Sequence, residues 1–231
     1  MSSYEPHSCA LRFAALTAFC LVVGGYAGTR LSAAEADRDA VIPAVAPQTT
    51  GTAAQTTDEP GAIAAFNAAY SVLSHPRCVN CHPSGTAPLQ GDDGHPHAFR
   101  VRRGPDGGGI AAERCSNCHQ AANLAGAHMP PGAPFPLEAK ESPFTPRWRL
   151  PSSQTPMVFQ GRTAAQLCRQ LKTPGQNGGL SLDQLVHHVQ SDPLVLWGFD
   201  PGEGRTRPPL SHAEFVQRII EWVSKGGACP Q

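Results

Sequence analysis

Apolar residues recur at helical spacing in several stretches of this chain, and nowhere at the two-residue period of a useful strand. Ile63, Phe66, Tyr70 and Leu73 are three or four residues apart and share one face of a helix. Asp58-Glu59-Pro60 supplies its N-cap and an early proline, and His75-Pro76 ends it. Thr163 with Gln166, Ser181 with Gln184 and Ser211 with Glu214 are capping boxes. They predict helices to about Lys172, to about Gln190 (apolar face Leu182, Leu185, Val186, Val189), and through Phe215, Val216, Ile219, Ile220 and Val223. Gly226 lies just past the last as a C-cap. Asp192-Pro193 starts a further apolar run, Leu194 to Phe199, containing Trp197. The pattern predicts an all-α fold of short helices joined by long Pro/Gly-rich loops.

Residues 83–110 are rich in Gly, Pro, Asp and His, and residues 129–160 in proline without periodicity, so both should wrap rather than form elements. The run Gly104-Pro105-Asp106-Gly107-Gly108-Gly109 lacks the preceding strand and the Lys-Ser/Thr ending of a phosphate loop. Asp92-Asp93 lacks a spaced set of oxygen ligands and reads as a solvated turn. At the other end, Arg12 and the apolar run Phe13 to Val23 resemble a secretory signal, with cleavage after Ala27 or Ala34. That run is too short to span a bilayer. The expected organisation is a signal over residues 1–34, a flexible linker over 35–57 and one domain over 58–231. The expected destination is the periplasm or another exported location, with no stable membrane span after cleavage.

Composition sharpens this picture. The 231 residues include 23 Gly and 23 Pro, about a fifth of the chain against an average nearer 12%. Aromatics make up only 6%, so material for a core is thin. Lys plus Arg (18) equals Asp plus Glu (18), which argues against a nucleic-acid binder or a polybasic membrane-surface protein. Something other than side chains is expected to complete the core.

The cysteines say what. Cys9 and Cys20 leave with the signal; four of the remaining six fall in Cys78-Val79-Asn80-Cys81-His82 and Cys115-Ser116-Asn117-Cys118-His119. Both have the spacing of a c-type haem attachment motif. Each thiol adds S–H across a porphyrin vinyl group to give a thioether, and the following His82 or His119 offers its imidazole to the iron as proximal ligand. A four-thiolate zinc ribbon is the remote alternative. It needs no His after each pair, and the 33 residues between Cys81 and Cys115 exceed the usual spacing of about 15–20. Two covalently bound haem c groups are therefore expected. Cys168 and Cys229 remain, and in an oxidising compartment they are expected to form a disulfide. Arg100, Arg102 and Arg103 either face haem propionates or form a solvated basic loop.

The sixth ligand of each iron stays open between several candidates. Met129, in His128-Met129-Pro130-Pro131-Gly132, is preferred because a Met-Pro turn presents the distal ligand in many small cytochromes c. Met157, His75, His97 and His128 are weaker candidates. Met129 lies 47 residues after His82, and Met157 lies 38 after His119, both enough to wrap once round a haem. His212 reads as a packed or capping residue, and only one of His187 and His188 can face inward.

The paired motifs resemble dihaem cytochromes c. More specifically, His75-Pro76-Arg77-Cys78-Val79-Asn80-Cys81-His82-Pro83, His128-Met129-Pro130-Pro131-Gly132, Leu167-Cys168-Arg169-Gln170-Leu171 and Leu196-Trp197-Gly198-Phe199-Asp200-Pro201-Gly202 are similar to an exported bacterial family labelled isoquinoline 1-oxidoreductase subunit. The resemblance covers roughly residues 62–230. It implies a cytochrome that accepts electrons from a molybdenum hydroxylase, and the haem motifs by themselves predict a carrier from a dehydrogenase to a cytochrome or oxidase. No residues resemble a molybdopterin or iron–sulfur domain, so the chain is not expected to be an enzyme itself. The alternative from another class is a haem enzyme, such as a small peroxidase with one open haem. In either case the porphyrins would replace the missing aromatics, and the chain without them is expected not to fold.

Overall fold

The computed structural model describes residues 57–135 and 147–231. The expected signal and, except for Thr57, the expected linker lie outside the described residues. Six helices carry the fold: α1 (Glu59–Leu73), α2 (Pro76–Val79), α3 (Ala164–Lys172), α4 (Leu182–Ser191), α5 (Pro193–Phe199) and α6 (His212–Ser224). Strand is confined among the described residues to one antiparallel pair, β1 (Leu89–Gln90) with β2 (His95–Pro96). The all-α expectation holds at that level, and no described helix is long and apolar enough to cross a membrane.

The local signals act as their chemistry requires. Asp58 accepts the Gly61 N–H at 2.9 Å and opens α1. In all three capping boxes the hydroxyl accepts from the third residue, whose side chain accepts the cap N–H in return. Gly226, at φ +97°, follows α6 as the left-handed cap that only glycine adopts without strain. The run after Asp192-Pro193, not assigned from periodicity, is the short helix α5; Asp192 caps it by accepting from Leu194 and Val195.

α1 packs along α6, and α3 and α4 close the group. The buried side chains are Phe66, Val72 and Leu73 of α1, Leu167 and Leu171 of α3, Leu185 and Val189 of α4, and Phe215, Ile219 and Trp222 of α6. Trp222 is fully buried, 5.0 Å from Phe66 between ring centres, and its indole N–H donates to the Ala228 carbonyl. Cys168 in α3 is disulfide-bonded to Cys229 beyond α6, so the C-terminal tail is pinned across the core. Buried Asn177 lets the α3–α4 loop cross this region. Its amide donates to the Leu171 and Leu180 carbonyls, and its oxygen accepts from Gly179 and Leu180. A buried amide so satisfied is not a liability. His212 packs against Phe199 and donates from Nε2 to the Val189 carbonyl, a packed residue as expected.

This core is made of side chains alone, which limits the expectation drawn from composition. The helices own their apolar interior. Among the described residues, the loop stretches 83–135 and 147–160 contain only short turns and the β1–β2 pair.

Candidate functional site

The two Cys-x-Asn-Cys-His stretches fold into the same helical turn. In the first, Cys78 lies in α2, and its carbonyl accepts from Cys81 N (3.2 Å) and His82 N (3.1 Å). In the second, a 3-10 turn over Cys115–Asn117 places Cys118 N (3.2 Å) and His119 N (2.9 Å) on the Cys115 carbonyl. One turn of helix brings positions i, i+3 and i+4 to one side, so each turn presents two thiols and an imidazole together. The turns face each other closely enough that the Cys115 sulfur raises the pKa of Cys81. Burial, with Cys81 beside it, pushes the Cys78 thiol up to about 12; burial likewise takes Cys81 to about 11. These are protonated thiols, unlike the thiolates of a reactive cysteine pair.

Each imidazole is oriented by a distant loop. His82 Nδ1 donates to the Met157 carbonyl at 2.8 Å, and His119 Nδ1 donates to the Pro131 carbonyl at 2.8 Å. A carbonyl only accepts, so the proton resides on Nδ1 and the Nε2 lone pair is free in both rings. Burial keeps both imidazoles neutral, with pKa values pulled down to about 4. Each ring is also clamped by an aromatic plane: His82 against Phe159 (3.9 Å, 6°) and His119 against Trp148 (4.3 Å, 4°). The bracing loops return by similar backbone bonds, Phe159 N to the His82 carbonyl and Ala133 N to the Gln120 carbonyl. Two motifs far apart in sequence thus have two equivalent supports.

Between the turns lies an open cavity of about 720 Å³ with a mainly apolar lining. Cys81, Cys115, Cys118 and His119 line it, as do His97 and His128; Cys78 and His82 do not. Four guanidinium groups (Arg77, Arg114, Arg149, Arg205) border it against a single carboxylate, Glu113. Arg77 is buried and pairs with Asp92, which also accepts the Thr206 N–H. Asp92 is therefore an anchor rather than the freely solvated turn residue expected. Asp106 gathers Arg114 and Arg147 and accepts the Gly108 N–H. Arg103, beside the first motif, is only 5% exposed and has no carboxylate partner among the described residues; one bond to the Gly85 carbonyl serves it, and Nε is unsatisfied. Arg100 and Arg102 are exposed.

The other candidate ligands are divided by this geometry. Met157 gives its carbonyl to His82 while its side chain packs against the helical core. Met129 is 43% exposed, is absent from the cavity lining, and gives its carbonyl to Arg205. His75 caps α2 by accepting the Arg77 N–H at Nδ1, which consumes the lone pair of its neutral ring. His188 lies near enough to His82 to oppose its protonation and borders a smaller cleft of about 390 Å³. Among described non-glycine residues, positive φ occurs at Phe99, Arg100, His128 and Met157. Phe99 and His128 line the cavity, and Met157 braces His82. Strain of about 1–3 kcal/mol per residue is concentrated where loops meet the site.

Sequence reasoning missed the roles of Phe159, Trp148 and Pro131, because stacking and carbonyl acceptance leave no spacing signature. The His82–Met157 bond spans 75 residues. Gly132 offers a direct check on one brace. A Cβ there would lie 2.2 Å from the Ala122 carbonyl oxygen and 2.5 Å from that of Gln120. Gly132→Ala is expected to open the turn carrying Pro131 and to destabilise the protein by about 1–3 kcal/mol. Gly85→Ala, which meets nothing within 4 Å, should stay within about 0.5 kcal/mol. Urea unfolding midpoints compare the two; equal midpoints would show that the turn yields freely.

No protein-family model matches this chain, and no curated protein or solved structure matches it either.

Proposed function

We propose that this chain is an exported dihaem cytochrome c that carries electrons between redox proteins. The observation that carries the reading is the duplicated support: two attachment turns, each with its histidine Nδ1 bound to a backbone carbonyl and Nε2 free. That arrangement fixes the tautomer that ligates a metal and the angle of the ring about the bond. The residues around the second turn fit a porphyrin. The cavity is apolar, falls within the usual range for cofactor sites, and is bordered by arginines in excess of carboxylates. Buried Arg103, without a carboxylate partner among the described residues, suits a propionate. Haem c, when bound, supplies reversible one-electron chemistry at iron.

The chain's own residues do the rest. Cys78 and Cys81, and Cys115 and Cys118, hold the two groups covalently. His82 and His119 would ligate, and Phe159 and Trp148 hold their rings. The donor would be a dehydrogenase or molybdenum hydroxylase and the acceptor a cytochrome or oxidase. Zero net formal charge suits brief, weakly steered encounters with them.

Expression in a host that matures cytochromes c tests this. The expected product gains the mass of two haems, resists acid-acetone extraction, and shows a reversible Soret shift with dithionite. Zinc in the purified protein without a Soret band would replace this reading with the zinc alternative. However, no three His, Cys, Asp or Glu side chains converge as a metal set among the described residues. A ferric spectrum that changes with cyanide or peroxide would favour the haem enzyme.

A further inference from the structure

The sixth position is where His97 distinguishes itself. It follows β2, lines the cavity, and its ring centre lies 6.0 Å from that of His119, the planes inclined at 58°. Two imidazoles bonded end-on to one metal at about 2 Å each have ring centres about 6 Å apart. His97 Nδ1 donates to the Ala98 carbonyl at 2.7 Å. That is the same tautomer as in His82 and His119, with Nε2 carrying the free lone pair.

From this placement we infer that His97 is the second axial ligand of the haem attached at Cys115 and Cys118, opposite His119. The inference rests on the dihaem reading and deepens it. The competitors lack one requirement or the other. His75 has no free lone pair, and Met129 points outside the lining. His128 lines the cavity but has no ring contact with His119, and its ring lies against Gly204, where a Cβ would sit 2.8 Å from Nε2.

Bis-imidazole ligation has chemical consequences. It closes the iron to exogenous ligands, and it places the potential below that of a His/Met centre. Both suit a carrier better than a peroxidase. The dipeptide His97-Ala98 precedes Phe99 and Arg100, both at positive φ. The backbone there is held in an unusual shape that would set the His97 ring before the haem is attached.

The test is ferric low-temperature EPR and near-infrared MCD on the holoprotein and on His97→Ala, His97→Met, His128→Ala and Met129→Ala. The expected result is that His97→Ala turns one of the two low-spin irons high-spin, that added imidazole restores it, and that His97→Met gives one haem a thioether charge-transfer band. Bound haem count and far-UV circular dichroism show that the variant is folded. If His97→Ala leaves both irons low-spin, or if Met129→Ala or His128→Ala opens this iron instead, the assignment is overturned. Wild-type protein without covalent haem would overturn the dihaem reading itself, a distinct result.

Discussion

On the dihaem reading, replacing Cys78, Cys81, Cys115 and Cys118 together by alanine is expected to abolish all covalent haem and yet leave the helical half folded. The haem loss follows from chemistry, since the thiols are the only groups that add to the vinyls. The surviving fold follows from packing. Phe66, Leu167, Leu171, Phe215, Ile219 and Trp222 bury one another across α1, α3 and α6, and the disulfide closes the group. Far-UV circular dichroism should retain most of the helical signal. Amide hydrogen exchange should show protection lost in residues 83–135 and 147–160 and kept in α1, α3 and α6. A cooperative loss of all protection would restore the composition-based expectation that the chain cannot fold without its porphyrins. The difference is where the apolar deficit falls: it is confined to the loops.

Cys168→Ala with Cys229→Ala is expected to cost the protein about 4 kcal/mol. The bonded residues are 61 apart in sequence, and releasing a loop of that length enlarges the unfolded ensemble. Against a typical total of about 5–15 kcal/mol this is a large fraction. The melting temperature should fall by roughly 10 °C for a domain of this size. Cys168 is fully buried and Cys229 partly so, and reductant added to native protein should act far more slowly than on the unfolded chain. Urea unfolding of wild type and variant, with and without dithiothreitol, checks both statements. Equal midpoints would mean that packing of Trp222 and Ala228 holds the tail unaided.

Much was legible in the chain because it is written in short-range chemistry. A capping box needs two residues three apart, so Thr163, Ser181 and Ser211 marked their helices at once. The two Cys-x-Asn-Cys-His stretches stood out for the same reason, and the Cys168–Cys229 pairing followed by elimination. The motif His residues were nameable, but their tautomers were not, because their Nδ1 partners are backbone carbonyls of Met157 and Pro131 that any residue type supplies. The Met-Pro turn also favoured Met129 as a distal ligand. Its loop gives its Pro131 carbonyl to His119, and the Met129 side chain lies partly in solvent.

By itself, then, the sequence determined the helices and the disulfide and marked the two Cys-x-Asn-Cys-His stretches, since each depends on residues a few positions apart or on a scarce chemical type. Only the tertiary structure decided which loops brace which histidine, that Asp92 anchors a buried arginine, and that His97 comes within 6.0 Å of His119. Those relations depend on how long, nonperiodic loops close. Loop closure costs little more for each added residue, so spacing along the chain carries almost no information about its outcome.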